Sequence, residues 1–305
     1  MVLYSFCKQG RYLFNYFWFL TGNLLYNCHI VQWTIVLECM VNPKTLAEKL
    51  MIHDDIFRVR HSIVDDYAEF TGQSAQDMRK LFKDKDYVLK MHADEWRKVD
   101  PKTPDEINDF YSKSQWFVKE LLRWHSSKQK LRYDRNMYEQ INGLWPDILI
   151  HRGVVLDYGC GFGLNAIEMA LQGYKVIATE LPSLSWNFAN YLYGRYQDEK
   201  SVLGVQVKQL LTLVPISDFF KQHEKTTFDL TFLLAVLDHI PKPETLLQWF
   251  LDHGNQFVIL SSFPTCNRYY KETHPMDLCD FTELRRLYKK YRIPYGKILT
   301  YYKKG

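Results

Sequence analysis

The chain has 305 residues, 47% of them apolar and 24% charged, a composition that excludes disorder and allows one large core or two smaller ones. Its formal charge of +4 is small for this length, and basic residues are interspersed with acidic ones, which removes the electrostatic case for a nucleic-acid partner and favours a small-molecule or peptide substrate. The six cysteines (Cys7, Cys28, Cys39, Cys160, Cys266, Cys279) stand far apart, with no C-x-x-C pair or histidine at ligand spacing, so reduced thiols of a cytoplasmic protein are expected and no metal site is.

Residues 1–41 form an apolar N-terminal extension. Tyr12–Leu37 lacks Asp, Glu, Lys and Arg and is long enough to cross a bilayer of about 30 Å. Asn15, Asn23, Asn27, His29 and Gln32 within the run argue against a membrane span, and no small-residue cleavage site follows it. A packed helix, or a translation start at Met40 or Met51 that leaves the segment outside the fold, are the other readings. Residues 42–149 read as a helical region that serves as lid, substrate cap or plain packing layer. Asn42-Pro43 supplies an N-cap with proline at the first helical position, and Leu46, Leu50, Ile56, Val59 and Ile63 recur at roughly helical steps. After Pro101-Lys102-Thr103-Pro104 a single helix is predicted over Asp105–His125, with Ile107, Phe110, Tyr111, Phe117, Leu121 and Trp124 near one face.

Residues 150–305 carry the chemistry. Val154-Val155-Leu156 is an apolar run that breaks into Asp157-Tyr158-Gly159-Cys160-Gly161-Phe162-Gly163, then into the helical pattern Ile167, Met169, Ala170, Leu171. Strand, tight turn and helix follow. Glycines let a ligand approach the backbone at the carboxyl end of the strand and supply positive φ. Asp157 selects the ligand class, because a carboxylate there repels the pyrophosphate of a dinucleotide but positions the cationic end of S-adenosylmethionine (SAM). Gly161-x-Gly163-x-x-Ala166 also fits the dinucleotide fingerprint, so an NAD(P)-dependent oxidoreductase is the alternative. Gly173–Glu180 reads as turn and second strand, ending on Glu180, 19 positions beyond Gly161, where a carboxylate accepts the ribose hydroxyls of either cofactor.

Further strands are predicted at Val205–Lys208, Phe228–Val236 and Gln256–Ser261, with helices at Ser185–Arg195, Glu244–Asp252 and Phe281–Tyr291. The alternation implies an α/β fold with a doubly wound, mostly parallel sheet.

Leu156–Gly163, Glu180 and the segment Phe228–Pro241 together resemble the class I SAM-dependent methyltransferases, and among them the small-molecule group that includes the ubiquinone-biosynthesis O-methyltransferases. The likeness covers about the last half of the chain. It implies that Asp157, Gly159, Gly161 and Gly163 line the methionine part of SAM with Cys160 and Phe162 in the same turn, that Glu180 holds the ribose beside Leu181, and that Leu234 and Ala235 pass beneath the cofactor. Two departures stand out: Gln209–Leu213 offers no acid to read adenine after the third strand, and Ile293–Lys303 is short for the usual closing antiparallel pair.

If the small-molecule acceptor is a hydroxyl, a base is useful, and His239 and His274 are the candidates because imidazole titrates near working pH. His239 is equally a cap at a strand end, and His274 a plain loop residue. Cys160 has no base evident beside it and reads as a small turn residue. A third function is a SAM-binding fold without catalysis, acting as a partner subunit through its helical half.

Overall fold

A computed structural model describes residues 63–130, 134, 153–171, 174–197, 207–240, 242–252, 257–261, 282–293 and 299–303. The extension 1–41, the predicted N-cap at Asn42-Pro43, His274 and the loop 262–280 lie outside the described residues. Among the described residues no helix is long and apolar enough to cross a membrane.

The helical layer opens with α1 (Ile63–Thr71), α2 (Ala75–Lys83) and α3 (Lys85–Val99). Side-chain oxygens start the second and third of these: Ser74 accepts from Asp77 N at 3.2 Å and Asp84 from Tyr87 N at 2.9 Å. The helix predicted over Asp105–His125 is two helices, α4 (Pro104–Lys113) and α5 (Gln115–His125), broken at Ser114. Thr103 and Glu106 form a capping box for α4, with Pro104 at its first position. Ser114 has extended backbone (φ −65°, ψ 116°), its Oγ accepts from Phe117 N at 3.0 Å, and its hydroxyl donates to the Glu95 carboxylate of α3. Periodicity carries across the break, so only the cap, made partly by a residue 19 positions upstream, reveals it.

The sheet contains β1 (Val154–Tyr158), β2 (Lys175–Glu180), β3 (Leu211–Pro215), β4 (Leu230–Leu233), β5 (Phe257–Ser261) and β6 (Leu299–Lys303) in the order β3-β2-β1-β4-β5-β6. The first five strands are parallel, and β6 runs antiparallel to β5. Helices α6 (Leu164–Leu171), α7 (Leu184–Tyr196), α8 (Ile216–His223), α9 (Pro243–Asp252) and α10 (Thr282–Lys290) fill the connections. Strand order proceeds one way from β1 to β3 and the other way through β4 and β5; right-handed crossovers therefore send helices to opposite faces. The fold is doubly wound, and its order reverses between β1 and β4, the place beyond the carboxyl ends of the strands where sheets of this kind bind ligands.

The third strand is corrected. Residues 207–210 are helical and β3 is Leu211–Pro215, with Ala178 opposite Leu213 and Glu180 opposite Pro215. The run Leu211–Val214 places Leu211 and Val214 in the core, and Tyr193 Oη donates to Leu211 O at 2.6 Å, contacts that local pattern does not contain. The fourth strand is shorter than the predicted Phe228–Val236. Asp229 clamps its start by accepting from Val154 N at 2.8 Å and donating its own N–H to Val154 O at 2.9 Å, and the chain leaves the sheet where Ala235 takes φ +52°. Among the described residues one antiparallel strand closes the edge. Leu156, Phe219, Phe228, Leu247, Phe250 and Tyr288 are buried in one cluster, each large side chain contributing about 1.5–3 kcal/mol by transfer from water.

Candidate functional site

The turn between β1 and α6 lies at the reversal point. Gly159, Gly161 and Gly163 have φ of +70°, +57° and +71°, a region that costs any other residue strain. Gly159 N and Cys160 N donate to Thr179 O of β2 at 2.8 and 3.0 Å, which fastens the turn to the neighbouring strand. Packing also demands glycine at one position: a Cβ on residue 159 would stand 2.5 Å from Val236 Cγ2, in the chain leaving β4. A Cβ on residue 161 would meet Leu121 Cδ2 of α5 at 3.3 Å, so the helical layer comes down onto the middle of the turn. Phe162 is fully buried, with ring centroids 5.1 Å from Phe188 and 5.5 Å from His125, and its side chain belongs to the core.

Asp157, one residue before the end of β1, and Glu180, the last residue of the adjacent β2, flank this turn. Asp157 is 2% exposed and, among the described residues, its Oδ2 has no hydrogen-bond partner. Burial pushes its carboxyl up to about 7, with Lys130 and the Ala166 N–H opposing and Glu180 adding to the rise. Lys130 is itself buried in an ion pair with Asp134. Glu180 accepts from Gly161 N at 2.7 Å through Oε2 and from Leu181 N at 2.8 Å through Oε1. Burial raises its carboxyl too, and those two N–H groups oppose the rise. Glu180 is thus a brace of the turn, a role that spacing along the sequence did not reveal. Each of its oxygens keeps a second lone pair for a ligand hydroxyl.

An orphaned buried carboxylate oxygen beside a glycine turn that leaves its backbone uncovered by side chains of its own suits a cationic group, and Glu180 at the next strand end suits a diol. The residues present fit SAM in both respects. Cys160 is 8% exposed, and burial together with the charges of Asp157 and Glu180 holds its thiol well above the usual range, which makes it a poor nucleophile.

Beyond β4, Leu234 is half-buried, Ala235 is exposed, and His239 follows. His239 Nε2 lies 3.9 Å from Asp238 Oδ1, too long for a hydrogen bond but close enough for charge to act. Its ring meets Tyr111 of α4 at 5.1 Å and Phe117 of α5 at 5.4 Å, both edge to face. Burial pushes the imidazole down, Asp238 and Glu120 hold it up, and His92 pushes it down further. Leu181 packs against the cluster Trp96, Ile107, Phe110 and Tyr111. The structure therefore brings Asp157, the glycine turn, Glu180, Leu181, Leu234, Ala235 and His239 to one end of the sheet. Tyr111, Phe117 and Leu121 of the helical layer, for which the sequence left lid, substrate cap and packing layer open, stand over them, and helical spacing by itself does not tell which of these it is. With β3 ending at Pro215, the first acid after that strand is the exposed Asp218 of α8, beyond the acid-free stretch Gln209–Leu213.

The model of a family described as a methyltransferase domain matches residues 127–292. The chain is 30% identical over 97 residues to the ubiquinone biosynthesis O-methyltransferase of Glaesserella parasuis serovar 5, a match covering 31% of this chain and 37% of that protein. It is 31% identical over 140 residues to the protein-lysine methyltransferase METTL21E of Mus musculus, covering 37% of this chain and 57% of that one. The chain thus spans from about a third to just over half the length of these curated relatives. Among solved structures, the magnesium protoporphyrin IX methyltransferase ChlM of Synechocystis PCC 6803 with bound SAM aligns over 72% of this chain and 95% of its own, at 15% identity and a TM-score of 0.39.

Proposed function

The chain belongs to the methyltransferase domain family matched over residues 127–292, and on that premise we propose that it binds SAM in the turn between β1 and α6 and methylates a small-molecule acceptor in the cytoplasm. The observation that carries this reading is Asp157, buried one residue before the end of β1 with Oδ2 unpartnered among the described residues, beside three glycines of positive φ. When bound, SAM supplies a methyl group on a positively charged sulfur, and the rest of the task is alignment of the acceptor in a dry site.

In this reading the Asp157 carboxylate faces the cationic end of the cofactor, Glu180 accepts the ribose hydroxyls through its remaining lone pairs, and the backbone of Leu234 and Ala235 borders the cofactor from the β4 side. Asp218, the first acid after β3, is the candidate to read the adenine amino group. His239 takes the proton of a hydroxyl acceptor, which its burial favours by keeping the imidazole neutral. Tyr111 and Phe117 exclude water around that ring. An aromatic enclosure of this kind suits a small acceptor better than a polypeptide. A protein amine, the acceptor class in the name of the METTL21E relative, is the second reading.

Titration calorimetry of the full chain with SAM and with NADH is the first test. SAM is expected to bind and NADH not to; binding of NADH alone would move the protein to the dinucleotide class. Transfer of labelled methyl groups to a metabolite extract and, separately, to a protein extract then distinguishes the two acceptors, while SAM binding with transfer to neither would favour a non-catalytic partner subunit.

A further inference from the structure

Two ionisable side chains of the helical layer, one buried and one half-buried, are paired beside His239. His92 on α3 is 1% exposed and its Nδ1 lies 2.6 Å from Oε2 of Glu120 on α5, whose side chain is 26% exposed. An ionised carboxylate only accepts hydrogen bonds, so Nδ1 donates. The His92 ring stacks on Phe110 at 5.8 Å and an interplanar angle of 10°, and meets Phe117 at 5.7 Å. Phe117 is the same ring that meets His239 at 5.4 Å, one turn of α5 before Glu120. An imidazole, a phenyl ring and a second imidazole are therefore packed in series, with a carboxylate held at the far end.

Apolar side chains at positions 92 and 120 could join the same helices without desolvating a charge, so stability alone does not account for the pair. The charged and titratable groups acting on His239 are Asp238 from its own loop, Glu120 from α5 and His92 from α3, and the Tyr111 hydroxyl of α4 is subject to Asp238 and Glu120 in turn. A half-buried imidazole that accepts a proton becomes a partly desolvated cation, and a fixed anion nearby offsets that cost without forming a direct contact that would block the acceptor.

We propose that His92 and Glu120 form a positioning dyad for His239, in which His92 clamps the Glu120 carboxylate so that its negative charge stabilises His239 once it carries the acceptor's proton. The dyad rests on the reading of His239 as proton acceptor in a SAM-dependent transfer. The proton passes from the acceptor hydroxyl to the His239 imidazole and from the imidazolium to water, so the protein returns to its starting state. Neither His92 nor Glu120 touches the reacting atoms. The helical layer thereby becomes part of the active centre instead of only its cover.

Nitrogen-15 labelled full-length chain, with its imidazole resonances followed against pH and His239 assigned by a His239→Gln variant, tests this without an acceptor. Glu120→Gln keeps a hydrogen-bonding oxygen for His92 but removes the charge, and is expected to lower the His239 midpoint by at least about 0.5 pH units. Glu120→Asp should restore most of the wild-type midpoint, and SAM affinity by calorimetry on the same samples should stay within about threefold, since the dyad lies outside the cofactor contacts. An unchanged His239 midpoint in Glu120→Gln overturns the dyad even when SAM binds normally. Should Glu120→Gln fail to fold, His92→Gln decides: loss of the clamp is expected to lower the His239 midpoint, whereas no movement, or the rise that merely removing the opposing His92 imidazole would produce, overturns the dyad. Failure of the wild-type chain to bind SAM overturns the underlying reading and the dyad with it, a result separable from the titration.

Discussion

The turn between β1 and α6 and the helices above it achieve the same thing, a shaped and electrostatically ordered site, by opposite means. In the turn the backbone is decisive: three positive-φ glycines, amides tied to Thr179 O, and two strand-end carboxylates that organise N–H groups around them. In the helical layer side chains are decisive: Leu121 reaches the turn, Tyr111 and Phe117 enclose His239, and His92 with Glu120 adds charge through a ring. The contrast predicts that substitutions in the turn will cost fold and cofactor together, whereas those in the layer will separate the two.

The largest effect is expected from Gly159→Ala. Its φ of +70° and the 2.5 Å approach to Val236 should together cost about 2–4 kcal/mol of folding free energy, read by urea denaturation. Adding Val236→Ala should return only the steric part of that loss; full recovery would mean that backbone strain at 159 is negligible.

Next is Asp157→Asn, which should weaken SAM binding about tenfold or more by calorimetry. The same variant should stabilise the ligand-free protein. Folding raises this carboxyl from 3.8 to about 7, so the fold favours the protonated form: its contribution is fully present below the unfolded value and is lost as pH climbs through about 7. At pH 8 the asparagine variant is therefore expected to be more stable on the order of a few kcal/mol, visible as a higher Tm. A variant both weaker in binding and less stable would contradict this trade.

The pH dependence follows from the same group. SAM affinity of the wild type should rise between about pH 6 and pH 8 as Asp157 ionises, then level off, and the Asp157→Asn curve should lack that rise. Smaller still is Ser114→Ala, which removes the cap at the α4–α5 break and should cost about 1 kcal/mol of stability while leaving SAM affinity nearly unchanged. Smallest is Cys160→Ala. With the thiol buried and held protonated, SAM affinity should change by less than about twofold, and a large loss would point to a chemical role for the sulfur.

The boundaries of β1, β2, β5, α7, α9 and α10 were legible to within two residues because each is bounded by local signals, a glycine turn, a serine cap or an apolar run of strand length. The third strand was not. Val205–Lys208 and Leu211–Pro215 are both short apolar stretches, and what decides between them is pairing with β2, a partner some 35 residues upstream in sequence. Ser114 broke a helix whose periodicity runs unbroken, for a cap completed by Glu95 on another helix.

What the sequence alone determined is the chemistry carried by residue type and short spacing: a carboxylate, alternating glycines and a second carboxylate at the following strand end, an order that identifies a cofactor turn before any packing is known. Tertiary structure alone decided which helical side chains stand over that turn, that Glu180 braces it, and that His239 sits within the reach of Glu120. Those relations join α3, α4 and α5 to the carboxyl ends of β1, β2 and β4, and packing over such separations leaves no periodicity in the chain to read.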